Sequence, residues 1–83
     1  IKLSRDRPLK LNVEIPTDTK AAVDVEVIRS DGTQYETTRV TEGGISVPVP
    51  LQKPLLQESV RLRLTLRGGV APDSVPRLFA IEY

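Results

Sequence analysis

Eighty-three residues, 39% of them hydrophobic, with eight Arg and four Lys against five Asp and six Glu, describe one small domain of formal charge +1. A chain this short buries only about 60–65% of its unfolded surface, which leaves no material for a second core. The near-neutral balance gives no general steering toward nucleic acid or anionic membrane. The absence of Cys removes disulfides and thiolate chemistry, and no apolar run nears the ~18 residues of a membrane span.

Lys2 to Pro8 mixes charges around Leu3 and reads as a lead-in. Leu9, Leu11, Val13 and Ile15 then alternate with Lys10, Asn12 and Glu14, the period-two pattern of a half-buried strand, which Pro16 ends. Thr17–Lys20 is turn chemistry, because Asp and Thr side chains bond nearby N–H groups. Val23, Val25 and Val27 alternate with Asp24 and Glu26 before Asp31-Gly32, a pair suited to the positive φ of a tight hairpin. With Asp31-Gly32 as a two-residue loop, Ser30 faces Thr33, Ile28 faces Tyr35, Asp24 faces Arg39 and Val23 faces Val40. That register sets unlike charges opposite each other.

Glu42-Gly43-Gly44 breaks the pattern, and Ile45, Val47, Val49 and Leu51 alternate with Ser46, Pro48 and Pro50. Prolines two apart lack donors on the same side, so this segment is expected at a sheet edge. Gln52–Ser59 is expected to be a loop that drops Leu55 and Leu56 over one end of the core. The cleanest alternation follows: Val60, Leu62, Leu64 and Leu66 against Arg61, Arg63, Thr65 and Arg67. With Pro76–Tyr83 it is expected to form a closing hairpin, with Leu62, Leu64, Phe79 and Ile81 in contact across the core. Turn signals recur every ~8–12 residues with no helical period, which gives an all-β fold, a small antiparallel β-sandwich of six to seven strands, jelly-roll-like or Ig-like. The Ile1 start and the apolar ending fit a module of a larger polypeptide or assembly.

Three constellations bear on function. Arg61, Arg63 and Arg67 project to one face of their strand, extended by Arg77. Guanidinium forks pair with carboxylate and phosphate, so an anionic partner such as an acidic glycan fits them. A solvated or docked sheet face, neutralised by Glu58, Glu82 and the hairpin acids, accounts for the same row and is preferred. The eleven carboxylates show neither glycosidase pairing nor a calcium-loop spacing, so no metal site is expected. Tyr35 and Tyr83 are the only aromatics besides Phe79, and packing is the preferred role for each. With no His, no Cys, no nucleophile elbow and no phosphate-cradling loop, the inventory points to a chain that is not an enzyme and carries no cofactor. Nucleic acid is not expected as a partner, since stacking platforms are lacking.

Ser59–Arg67, a short polar loop and Val75–Tyr83 together resemble the closing hairpin of jelly-roll-like β-sandwich modules in bacteriophage tail and tail-fibre proteins. There a strand of the form R-x-R-x-x-L precedes P-x-L and an apolar last strand. The likeness covers about a third of the chain. It implies a structural or host-attachment module on a virion tail or comparable extracellular appendage, with other protein subunits as partners and cell-surface glycan as a second candidate. A further alternative is an Ig-like spacer domain of a bacterial surface protein.

Overall fold

A computed structural model describes all 83 residues and contains six strands and no helix. They are β1 (Lys10–Glu14), β2 (Ala22–Ile28), β3 (Gln34–Val40), β4 (Gly44–Pro48), β5 (Arg61–Arg67) and β6 (Arg77–Glu82). Two antiparallel three-stranded sheets form, in the orders β4-β1-β6 and β3-β2-β5. The short Thr41–Gly43 link holds β3 and β4 on one flank, so β5 and β6 lie together on the other. The fold is the expected small β-sandwich.

The two central strands carry the core because the period-two alternation of their apolar residues turns one face of each toward the gap between the sheets. Leu11, Val13, Val23 and Val25 are sealed from solvent, and Leu9, Val40 and Val49 complete the cluster. As expected, β4 is an edge strand, and Leu55 and Leu56 are half-buried beneath the loop that leads to β5.

The β2–β3 hairpin keeps the expected register over most of its length, with Val23 opposite Val40 and Asp24 opposite Arg39. At the turn it differs by one residue. Gly32 N–H donates to Arg29 O at 2.9 Å and Arg29 N–H to Thr33 O at 2.8 Å, so the loop is Ser30-Asp31-Gly32, with Gly32 at φ 91°. Three-residue loops of this kind place a glycine where the chain turns left-handed. The extra residue is absorbed by a bulge: Val27 faces Glu36, Ile28 faces Gln34, and Tyr35 has no opposite number.

The expected closing hairpin does not form. β5 pairs along all seven residues with β2, without a register shift, while β6 pairs with β1. The Gly68–Pro76 loop therefore crosses between sheets. The strand pattern of each segment was legible, but the choice of partner depends on what the other strands offer. Pairing with β2 sets Leu62, Leu64 and Leu66 beside Val27, Val25 and Val23, and Arg63 beside Glu26.

Phe79 is likewise outside the core, at 61% exposure. Leu11 faces Ile81 and Asn12 faces Ala80, but Val13 faces Leu78, so Phe79 is the surplus residue of a bulge. Leu78 and Ile81, three apart, can both turn inward only because the bulge breaks the alternation between them.

One tie joins two of the cross-sheet connections, β1–β2 and β5–β6. Asp18 accepts from the N–H of Ala71 at 2.9 Å and of Lys20 at 3.3 Å. A side chain on Gly69 would fall within 3 Å of Asp18, so the approach requires glycine. The N–H groups of Val70 and Ala71 pull the Asp18 carboxyl down to about 2.

Candidate functional site

The outer face of the β3-β2-β5 sheet holds the arginine row. Because β2 alternates, its Asp24 and Glu26 point outward between Arg39 of β3 and the arginines of β5. Asp24 is the one charged residue among the 13 buried. Arg39 donates through Nε to Asp24 Oδ1 at 2.7 Å and through Nη2 to Oδ2 at 3.3 Å, and Arg67 Nε also donates to Oδ2. The Arg39 hydrogen bond holds the Asp24 carboxyl below the usual aspartate range; burial opposes this and Arg67 adds to it. Asp24 in turn raises Arg39. A buried carboxylate stays ionised when donors satisfy both of its oxygens in this way.

Arg63 lies 3.9 Å from Glu26, and Arg61, opposite Ile28, makes no ion pair. The row expected from sequence is thus a single face for Arg61, Arg63 and Arg67. Arg77 does not extend it, since β6 belongs to the other sheet and sets Arg77 opposite Glu14. Nor does Tyr35 join it. Its hydroxyl donates to Pro54 O at 2.6 Å, and Lys53 Nζ sits 5.1 Å from the ring centroid while donating to Tyr35 O at 2.8 Å. Tyr35 fastens the β4–β5 connection to β3. Beneath it, a cavity of about 10 Å³ lined by Leu3, Val27, Leu51 and Leu55 has room for no more than one water.

Two of the open basins bear on function. One, of about 450 Å³, has Ala21 and Ala22 among its walls and is flanked by Lys20, Arg39, Thr41 and Arg67. It is cationic. Asp24 occupies only part of each guanidinium's donor set, so N–H groups of both arginines stay open to an anion. Arg39 and Lys20 belong to this cluster and were not singled out in the sequence. The register had already placed Arg39 opposite Asp24, but its convergence with Arg67 needs three strands in order.

The other basin, of about 640 Å³, lies on the β4-β1-β6 side, lined in part by Asn12, Glu14, Gly43, Ile45 and Phe79. Both strands beside β1 bulge at the level of Asn12 and Val13. The bulges leave Ile45 at 82% exposure and Phe79 at 61%. No group of three or more His, Cys, Asp or Glu side chains gathers as a metal site would require. Comparison with known proteins gave no match to a family model, a curated protein or a solved structure.

Proposed function

We propose that this chain is a non-enzymatic structural module that docks protein neighbours in an assembly, of the kind its last two strand segments resemble in phage tails or comparable extracellular appendages. The observation that carries the reading is the pair of bulges flanking β1, which expose Ile45 and Phe79 on one side of the molecule. Bulges re-aim side chains, and large apolar groups gathered at a surface favour a protein contact. Arg67 and Arg63 support the same reading, since each has a carboxylate of this chain beside it. Sedimentation from micromolar to millimolar chain tests it: association weakened by Phe79→Asp and by Ile45→Asp is expected. A chain that stays monomeric throughout and binds a glycan would sink the reading.

One observation favours a second reading, binding of acidic surface glycan. The cationic basin gathers Lys20, Arg39 and Arg67 around small side chains, and their open N–H groups suit a carboxylated or sulfated sugar. Salt-sensitive binding on a glycan array, lost in Arg67→Gln and kept in Phe79→Asp, is its signature.

A further inference from the structure

Along its outer face β2 presents Ala22, Asp24, Glu26 and Ile28, and only the first of these ends at a methyl group. The face therefore dips at Ala22. Arg67 stands opposite Ala22 on β5 and Arg39 stands opposite Asp24 on β3, so one guanidinium borders the dip on each side. The turn before β2 sets Thr19 and Lys20 at the rim, and Thr41, the residue after β3, closes it. Ala21 and Ala22 are nearly sealed and form the floor. The result is the cationic basin of about 450 Å³, within the ~300–1,000 Å³ of small-molecule sites.

Asp24 orients both guanidinium groups in advance of any ligand. Arg39 uses Nε and one N–H of Nη2 on it, and Arg67 uses Nε alone. A guanidinium has five N–H donors in a planar fork, so three remain on Arg39 and four on Arg67. Lys20 takes part in none of the four ion pairs of the chain. Three cations thus meet one buried carboxylate, and Asp18, which accepts from the N–H of Lys20, lowers the local balance to a single positive charge. A singly charged anion neutralises that balance, whereas a phosphate monoester, at about −1.5 to −2, overshoots it. The only apolar lining is the pair of alanines. A protein neighbour brings apolar groups that need cover at the centre of the contact, and two methyls offer little. A sugar ring carries hydroxyls all round, which Thr19 and Thr41 can meet.

We propose that this basin binds the carboxylate of a uronic acid residue in an acidic polysaccharide, with the forks of Arg39 and Arg67 on the carboxylate, Lys20 as the third cation and Thr19 and Thr41 on the ring hydroxyls. The proposal rests on the glycan reading and narrows it to one site and one class of sugar. Each contact is weak, because the side chains of Arg39 and Arg67 are 57% and 51% exposed and their ligand bonds compete with water. Repetition compensates. A polymer of uronates presented to several copies of the chain multiplies weak contacts through effective concentration. Docking at Ile45 and Phe79 leaves the basin free to act in this way, since those residues belong to the other sheet.

The test is a titration of the isotope-labelled 83-residue chain with sodium glucuronate at low salt, followed through backbone amide and arginine Nε–H signals. Saturable shifts are expected at Lys20, Ala22, Arg39, Thr41 and Arg67, with a dissociation constant on the order of 1–10 mM. Glucose, the ring without the charge, is expected to give no shift, and acetate, the charge without the ring, to bind about tenfold more weakly. Arg67→Gln should weaken glucuronate by about tenfold. Should that variant not fold, two changes at exposed positions serve: Lys20→Gln should weaken glucuronate about threefold, and Thr41→Val should do the same while leaving acetate unchanged. The proposal is overturned by an absence of saturable shifts at about 100 mM glucuronate, by acetate binding as tightly as glucuronate, or by shifts confined to Arg61 and Arg63. If one of these results coincides with salt-sensitive binding of an acidic polysaccharide, only this site falls and the glycan reading stands; without such binding both fall.

Discussion

The two flanks of the sandwich are built from similar apolar residues and buried to different depths. On the β3/β4 flank Val40 and Val49 are nearly sealed, closed over by the loop after β4. On the β5/β6 flank Leu62, Leu64, Leu78 and Ile81 touch the core yet remain half-exposed, and Leu66 is more exposed still. The strand with the most regular alternation in the chain thus belongs to the shallower flank. Alternation reports which way side chains point; depth depends on what lies opposite them.

The comparison is sharpest in a pair of truncations. Leu11→Ala, at a site with no solvent exposure, is expected to cost about 3–4 kcal/mol, enough to unfold much of a domain this small. Leu64→Ala, on the shallow flank, is expected to cost about 1–1.5 kcal/mol, because solvent already reaches part of the side chain and less cavity is left behind. Urea titration of both variants reads the difference. Equal losses would mean that the β5/β6 flank is as deeply packed as the other.

Next in size is the ion cluster that spans both outer strands of the second sheet. Asp24→Asn removes a buried carboxylate from between Arg39 and Arg67 and is expected to cost about 2 kcal/mol, reduced by the solvent that reaches both guanidinium groups. The pH dependence has a definite sign. Arg39, and then Arg67, depress the carboxyl of Asp24 in the folded chain, so its contribution is fully present above the unfolded value of about 3.9 and is lost as pH falls through the lower folded value. Asp18, at about 2, adds to the same acid limb. Stability measured from pH 6 downward should therefore fall less steeply in Asp24→Asn than in the parent chain, and an identical slope would remove Asp24 from the acid transition.

Much of the fold was legible because period two is a local property. All six strands, the β2–β3 register through Val23–Val27 and the edge position of β4 follow from alternation, turn residues and proline spacing. Three features were not, and each is non-local. The partner of β5 depends on competition among strands that are not neighbours in sequence. The places of Tyr35 and Phe79 depend on bulges, which shift a register by one residue with no mark in composition. The cationic basin needed β3, β2 and β5 in order before Arg39, Arg67 and Lys20 could be seen to converge.

Gly32→Ala examines the turn that generates one of these bulges. At φ 91° an added Cβ is strained although space is open around it, so a loss of about 1 kcal/mol is expected. A neutral result would mean that Gly32 does not hold a positive φ, which removes the three-residue loop and the bulge it feeds into β3. Loss of the Tyr35–Pro54 contact in the amide shifts of such a variant would tie the turn to the closed flank.

The smallest expected change separates the outer face of the first sheet from its core. Phenylalanine in a packed interior costs about 3–5 kcal/mol to truncate, whereas a substitution on open surface stays within about 0.5 kcal/mol. Phe79 is the largest apolar side chain in β6 and would be a core residue if the strand alternated without interruption. The bulge opposite Val13 turns it outward and lets Leu78 and Ile81 turn inward instead. Phe79→Ser should therefore leave the urea midpoint nearly unchanged, while Leu78→Ser in the same strand lowers it clearly. If Phe79→Ser is the more damaging of the two, β6 pairs in unbulged register, its apolar face is reversed, and the exposed pair of Ile45 and Phe79 on which protein docking rests does not exist.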